Sequence, residues 1–393
     1  MPITPWIDVD APGFDDPVLL NNGMLVSFLY EESLDGCAKW AMNLVDKVSD
    51  RFNDFLALDG GTGFTFRFRF GVDGINPQNP VNFPITPYLK KLTNWKTLEL
   101  LQGRKRTWGD LTVFNFKGLC HGNALNRCHP IDRNWERARV SDIVTELAED
   151  AGLDADVEET VGQYTISNGK CSSGSFIKNY LLPLAYSRSG RKDWRFWVRD
   201  GDTVVFRPSN STESPRLKFS DWVQDDPNII IMAGPEAIKT VAQQVWDGSG
   251  RMRVNGHDPM SNRYQWHETY ESNADFNYLA RGRPFDREWG TATQSFSHFA
   301  ENRNLWGKTT TEQLKHEAES RWARNARGLY KMVSEVPFSV GLTPGDKVRV
   351  VCQEWDDPDS SSGIWQLNKV RNICTQGELK AYVVLEKRWE GNG

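Results

Sequence analysis

Nowhere do about 18 apolar residues run together in this chain of 393, so no segment is long enough to cross a bilayer as a helix. Its opening, Met1-Pro2-Ile3-Thr4-Pro5, lacks the basic and apolar regions of a signal peptide. Synthesis in a cytoplasm, with no membrane insertion, is the expectation. Cations are not in excess: 47 Lys and Arg against 52 Asp and Glu leave a formal net charge of −5. That balance argues against a surface that clamps nucleic acid throughout, because neutralising phosphates takes a surplus of Lys and Arg. Cysteine is scarce, at six (Cys37, Cys120, Cys128, Cys171, Cys352, Cys374). In a compartment that keeps thiols reduced these are expected to be small buried residues, not disulfides.

Signatures of catalysis are as sparse. Cys120-His121 and Cys128-His129 put two Cys and two His within ten residues, a candidate zinc set. Adjacent Cys-His pairs rarely point at one ion, and the usual Cys-x2-4-Cys spacing is absent, so buried thiols with surface histidines are the expected arrangement. Gly307-Lys308-Thr309 looks like the end of a phosphate-binding loop, but Asn302 stands where that pattern needs Gly, and a helix-capping box from Thr309 to Glu312 explains these residues better. His267-Glu268 and His316-Glu317 each lack the second His, four residues on, of a zinc protease. No Gly-x-Ser-x-Gly elbow occurs. The pairs Glu149-Asp150, Glu158-Glu159 and Asp356-Asp357 are of the type that cleaves glycosides, yet their polar context suits solvated faces. The expectation is no enzyme and no cofactor.

What the chain does have is tryptophan, 16 residues, with aromatics at 12%, a composition suited to cores and to protein interfaces. Its length suits two or three packed units. Ala38, Trp40, Met42 and Leu44 alternate with Lys39, Ala41, Asn43 and Val45, and Phe64, Phe66, Phe68 and Phe70 alternate with Thr65, Arg67 and Arg69. A period of two means strands with one apolar face, the arginines turned to water or a partner. Residues 71–88 suit a long connection, and strands are expected again at 97–101 and 111–116. In the middle, Ser141-Asp142 can cap a helix carrying Ile143, Val144, Leu147, Ala148 and Ala151, ended by Gly152. A second helix is expected from Ser172 or Ser173 with Pro183 ending it early, then a hairpin turning at Asp200-Gly201. Strands are expected at 228–232 and 237–246, polar loops at 247–263 and 271–308, a helix through Leu314, Ala318, Trp322, Ala326 and Leu329, and four closing strands at 330–334, 347–353, 364–373 and 379–386.

Three stretches carry a family likeness: Arg139 to Leu153; Ser172–Ala185 with the Trp194–Phe206 hairpin; and the helix from Thr309 leading to Leu342-Thr343-Pro344-Gly345-Asp346-Lys347-Val348. In that order they resemble the late control protein D family of phage tail baseplate hub proteins, related to the hub portion of type VI secretion spike proteins. The resemblance implies an α+β chain with two tube-type antiparallel β-barrel units and an intervening helix-plus-hairpin region. The expected divisions are 1–130, a first barrel; 131–214, helix and hairpin; 215–308, a second β unit with long loops; and 309–393, a helix and strands completing the second barrel. It further implies a homotrimer that adapts a hexameric tail tube, or tube initiator protein, to a trimeric central spike, beside other baseplate proteins. Such a part belongs to the virion and is assembled in the host cytoplasm. DNA passes through its channel without specific binding, past a lining that an acidic chain would make repulsive to phosphate. Two other classes are carried beside it: a tail-associated peptidoglycan hydrolase, and a carbohydrate-binding tail protein that uses aromatic surfaces.

Overall fold

The computed structural model describes residues 4–10, 18–20, 24–34, 36–46, 64–73, 93–108, 111–130, 133–168, 171–188, 194–209, 217–220, 229–231, 233–238, 251–258, 263–270, 293–297, 314–315, 317, 320, 330–338, 342–351, 363–375 and 378–387. Strands β1 (Thr4–Asp10), β2 (Val18–Leu20), β3 (Leu25–Ser33), β4 (Lys39–Asp46), β5 (Phe64–Asp73), β6 (Lys96–Trp108) and β7 (Leu111–Cys120) come first. The middle holds the single turn α1 (Ala124–Arg127), β8 (Arg133–Arg139), α2 (Val140–Asp150), β9 (Asp154–Val157), β10 (Gln163–Asn168), α3 (Ser173–Phe176), β11 (Trp194–Arg199) and β12 (Thr203–Pro208). Then follow β13 (Leu217–Ser220), β14 (Ile229–Ile231), β15 (Ala233–Ile238), β16 (Arg251–Asp258), β17 (Arg263–Tyr270), β18 (Thr293–Ser297), β19 (Tyr330–Pro337), β20 (Lys347–Val351), β21 (Gly363–Thr375) and β22 (Glu378–Lys387). The chain is mostly β with a helical minority, as expected.

Fourteen of these strands form one sheet, made of two series of seven. In sheet order the first runs β3-β4-β7-β6-β5-β1-β2 and the second β15-β19-β22-β21-β20-β13-β14. The two correspond strand for strand. β6 and β21 are each 13 residues long, and β7 and β22 are each 10. Each long strand bulges at its sixth residue, Leu101 in one and Asn368 in the other, and beyond the bulge the hairpin registers coincide: Gln102 faces Lys117 as Lys369 faces Val384. Only the outer strands depart, since β1 pairs antiparallel with β5 whereas β13 pairs parallel with β20. Among the described residues neither series closes by pairing its ends, so each is an open sheet and not a barrel. The series are joined where residues 369–375 of β21 run antiparallel to residues 27–33 of β3.

The alternation in the sequence sets which face is buried. Phe66, Phe68 and Phe70 are no more than 2% exposed and pack edge-on or tilted against Phe28, Tyr30 and Trp40, each burial contributing roughly 1.5–3 kcal/mol. On the opposite face Arg69 bonds Asp8 at 2.8 Å, Arg67 bonds Asp10, and both guanidiniums lie over the Trp95 ring. The second series has its own core around Trp365, Leu367, Val383 and Leu385.

The middle elements follow local chemistry. Helix α2 buries Ile143, Val144, Leu147 and Ala148, and Gly152, at φ +72°, ends it: its N–H reaches the Glu149 carbonyl and that of Leu153 the Ala148 carbonyl, a Schellman cap. The expected Ser141-Asp142 cap is not what starts it. Arg139 holds the cap position, and the Ser141 N–H is instead bonded by Thr160 Oγ1 at 3.0 Å. Ser172 caps α3 through the Ser175 N–H, as expected. The helix then widens to π turns over Ile177–Leu181 and tightens to a 3-10 turn at Leu182–Leu184, an accommodation of Pro183, which lacks an N–H.

Three expectations are corrected. The polar stretches at 247–263 and 271–308 are not simply loops: each holds a strand, β16 in the first and β18 in the second, and with β17 between them these form a separate three-stranded sheet. Of the strand expected at 237–246, residues 237 and 238 close β15, which begins earlier, at Ala233, and residues 239–246 lie outside the described residues. The connection expected at 71–88 is shortened by β5, which runs on to Asp73; its remainder and most of the helix after Thr309 lie outside the described residues, although Leu314, Lys315, Glu317 and Ser320 are helical.

Candidate assembly interface

The four zinc candidates end in different surroundings. Cys120 is fully buried and its thiol meets that of Cys37; this hydrogen bond, with burial behind it, holds Cys120 well above its ordinary pKa. His121 turns Nδ1 to Oε1 of the fully buried Glu99, at 3.0 Å, and Arg127 pairs with the same oxygen. The Cys128 carbonyl accepts the Ser173 N–H at 2.8 Å, and His129 is exposed. Among the described residues no three His, Cys, Asp or Glu side chains gather as a ligand set, and the five described cysteines are free. His267-Glu268 lies on β17 opposite Val254 and Arg253. Gly307-Lys308-Thr309, His316 and Asp356-Asp357 fall outside the described residues. Of the paired carboxylates, Asp150 binds Arg133 and Glu159 binds Arg139, all at the surface.

Sequence reasoning passed over the charges that are buried. Lys96 (8% exposed) stands between Glu32, at 3.5 Å, and Asp200, while the Tyr30 hydroxyl donates to Glu32 at 2.6 Å. Burial pushes the Lys96 pKa down, but the charges of Glu32 and Asp200 outweigh it and hold the ammonium above its ordinary value. Burial, then Glu32, pushes Tyr30 well up. Asp200 sits in the three-residue β11–β12 connection, where it and Gly201 both have positive φ and the Asp202 N–H closes the turn on the Arg199 carbonyl at 3.3 Å. That turn docks on β6: Thr97 donates its N–H to the Asp200 carbonyl at 2.9 Å and its hydroxyl to Asp202 at 2.6 Å. The far end of the same hairpin meets the second series, where Arg195 pairs with buried Glu386 and Ser209 bonds Gln366 at 2.8 Å. A Lys between Trp95 and Thr97, with an Asp-Gly turn far along the chain, gave no local signal of this clamp.

On the sheet face turned away from the core, the seam between series carries Glu31 bridged to Lys369 at 2.6 Å and Arg371 at 2.5 Å. Burial raises the Glu31 pKa, but the hydrogen bonds and charges of those two cations bring it below the usual carboxylate value. Further along, Arg104, Arg106 and Lys117 line an open groove of about 310 Å³ with Ala41, Asn43, Gln102, Asn115 and Phe116. None of the three cations has a carboxylate partner among the described residues. The groove follows residues 102–108 of β6, which pair with β7 alone, since β5 covers only residues 96–100. Strand β15 likewise pairs with β19 alone. Both of these edges are thus open among the described residues.

No protein-family model matches the chain, and no curated protein matches it by sequence. Solved structures do. A tail protein from Neisseria meningitidis MC58 is 10% identical with a TM-score of 0.62, covering 98% of this chain and 96% of that one. The 43 kDa tail protein of prophage MuSo2 from Shewanella oneidensis is 10% identical with a TM-score of 0.56, covering 97% of each chain. A Francisella PdpA-VgrG complex is 10% identical with a TM-score of 0.54, covering 100% of this chain and 54% of that one. The resemblance drawn from three sequence stretches agrees with these neighbours at the level of fold, and the chain has the fold of phage tail proteins.

Proposed function

We propose that this chain is the structural hub of a phage tail baseplate or of a related injection machine, and not an enzyme. The observation that carries this reading is the strand-for-strand repeat within one sheet. A chain of two matched units, repeated three times about an axis, presents six units on one face to a hexameric tube and three chains on the other to a trimeric spike. Adapting one symmetry to the other is the function. The two units take on the tube type of closed barrel in the assembled ring, and the divisions at 130, 214 and 308 separate first unit, middle clamp and the two parts of the second unit. Tube or tube initiator, spike and neighbouring baseplate proteins are the partners, and DNA crosses the central channel without specific binding. The chain belongs to the virion tail. The test is light scattering of the purified chain over a concentration series, with electron microscopy of the product. A three-chain ring with an open centre is expected; a closed two-chain particle would overturn the reading.

A further inference from the structure

We infer that the ring is closed by a second copy of the seam already present inside each chain: residues 102–108 of β6 in one copy pair antiparallel with β15 of the next. This rests on the ring reading and adds the residues that make it. Within the chain, the half of β21 beyond its bulge pairs with β3, in the register Arg371 to Glu31, Ile373 to Leu29 and Thr375 to Ser27. The counterpart of β21 is β6 and the counterpart of β3 is β15, because both relations follow from hairpin registers that coincide: Ala41 faces Lys117 as Val333 faces Val384, and Leu29 faces Ala41 as Glu236 faces Val333. In the isolated chain both counterparts present an open edge among the described residues. Open edges of a sheet are templates for another strand.

Carrying the register across places Arg104 opposite Ile238, Lys105 opposite Ala237, Arg106 opposite Glu236 and Trp108 opposite Ala233. Arg106, which has no carboxylate partner in its own chain among the described residues, therefore meets an acid at the position where the internal seam sets Leu29 against Ile373. The contact is head-to-tail, so each copy offers one edge and accepts the other, the arrangement that closes rings.

The experiment mixes two full-length variants, Arg106→Cys and Glu236→Cys, under mild oxidation, with each variant alone and the unsubstituted chain as controls for the native thiols. A cross-linked pair that forms only in the mixture is expected. A second set of variants reads the charge: Arg106→Glu is expected to weaken self-association at least tenfold, and adding Glu236→Arg to restore it, while circular dichroism of both variants matches the parent. Rings that assemble without the cross-link and without response to the charge change would overturn this seam and leave the ring reading standing. A chain that neither assembles nor cross-links at any concentration would overturn both.

Discussion

Lys96 shows how a single residue fastens two parts of the molecule. Its ammonium is buried between Glu32 of the first strand series and Asp200 of the middle hairpin, and a charge taken out of water must be matched or it is costly. Lys96→Met leaves both acids without their cation, and an unfolding free energy lower by about 3–5 kcal/mol is expected from urea titration. Removing Glu32 as well, in Lys96→Met with Glu32→Leu, is expected to recover part of that loss, since the penalty lies in the unpaired charge. Because the folded chain raises the Lys96 pKa, its contribution is complete below the ordinary lysine value and fades as pH climbs through the folded one. Glu31 works in the other direction. Lys369 and Arg371 hold its pKa below the usual carboxylate value, so its contribution is present above about 4.3 and is lost as pH falls through the lowered value. Melting temperatures recorded from pH 5 downward are expected to fall less steeply in Glu31→Gln than in the parent.

Among the elements, two glycines with positive φ separate backbone strain from crowding. A methyl added at Gly152, φ +72°, meets nothing within 4 Å, whereas one added at Gly201, φ +89°, lies 2.1 Å from the Thr97 carbonyl oxygen. Gly152→Ala is expected to cost about 1 kcal/mol, the left-handed penalty alone. Gly201→Ala adds overpacking where the hairpin docks on β6, for a total of about 2–4 kcal/mol. Thermal scans of the two variants give the comparison. The sequence showed the Gly152 stop, the Asp200-Gly201 turn and the Phe66–Phe70 face because each is written in neighbouring residues. It did not show the Thr160 cap, whose partner is 19 residues away, nor that Arg195 on the hairpin is buried, since its acid, Glu386, lies far along the chain. Strand β16 reads as a loop in the sequence because Arg251, Arg253, Asn255 and His257 dilute an alternation that Met252 and Val254 alone carry.

At the scale of the molecule, the repeat was invisible in the residues for a physical reason. Register between strands is fixed by backbone hydrogen bonds and by which face is buried, so very different side chains satisfy it. Along their 13 paired positions β6 and β21 agree only at Leu100 with Leu367 and Arg104 with Arg371. The zinc candidates were legible as residues, but their surroundings depend on Glu99 and Cys37, which arrive from other strands. The repeat also supplies an internal control. Residues 369–375 of β21 have a neighbour on both sides, and the matching residues 102–108 of β6 have one among the described residues. An amide bonded to a neighbouring strand exchanges with solvent only when that pairing opens. In dilute single chains every second amide of 102–108 is therefore expected to exchange quickly while 369–375 stays protected, as followed by hydrogen exchange and mass spectrometry. Assembly into the ring is expected to bring the two segments to the same protection. Equal protection already in the single chain would mean that the β6 edge is covered from within, and the seam between copies would have to lie elsewhere.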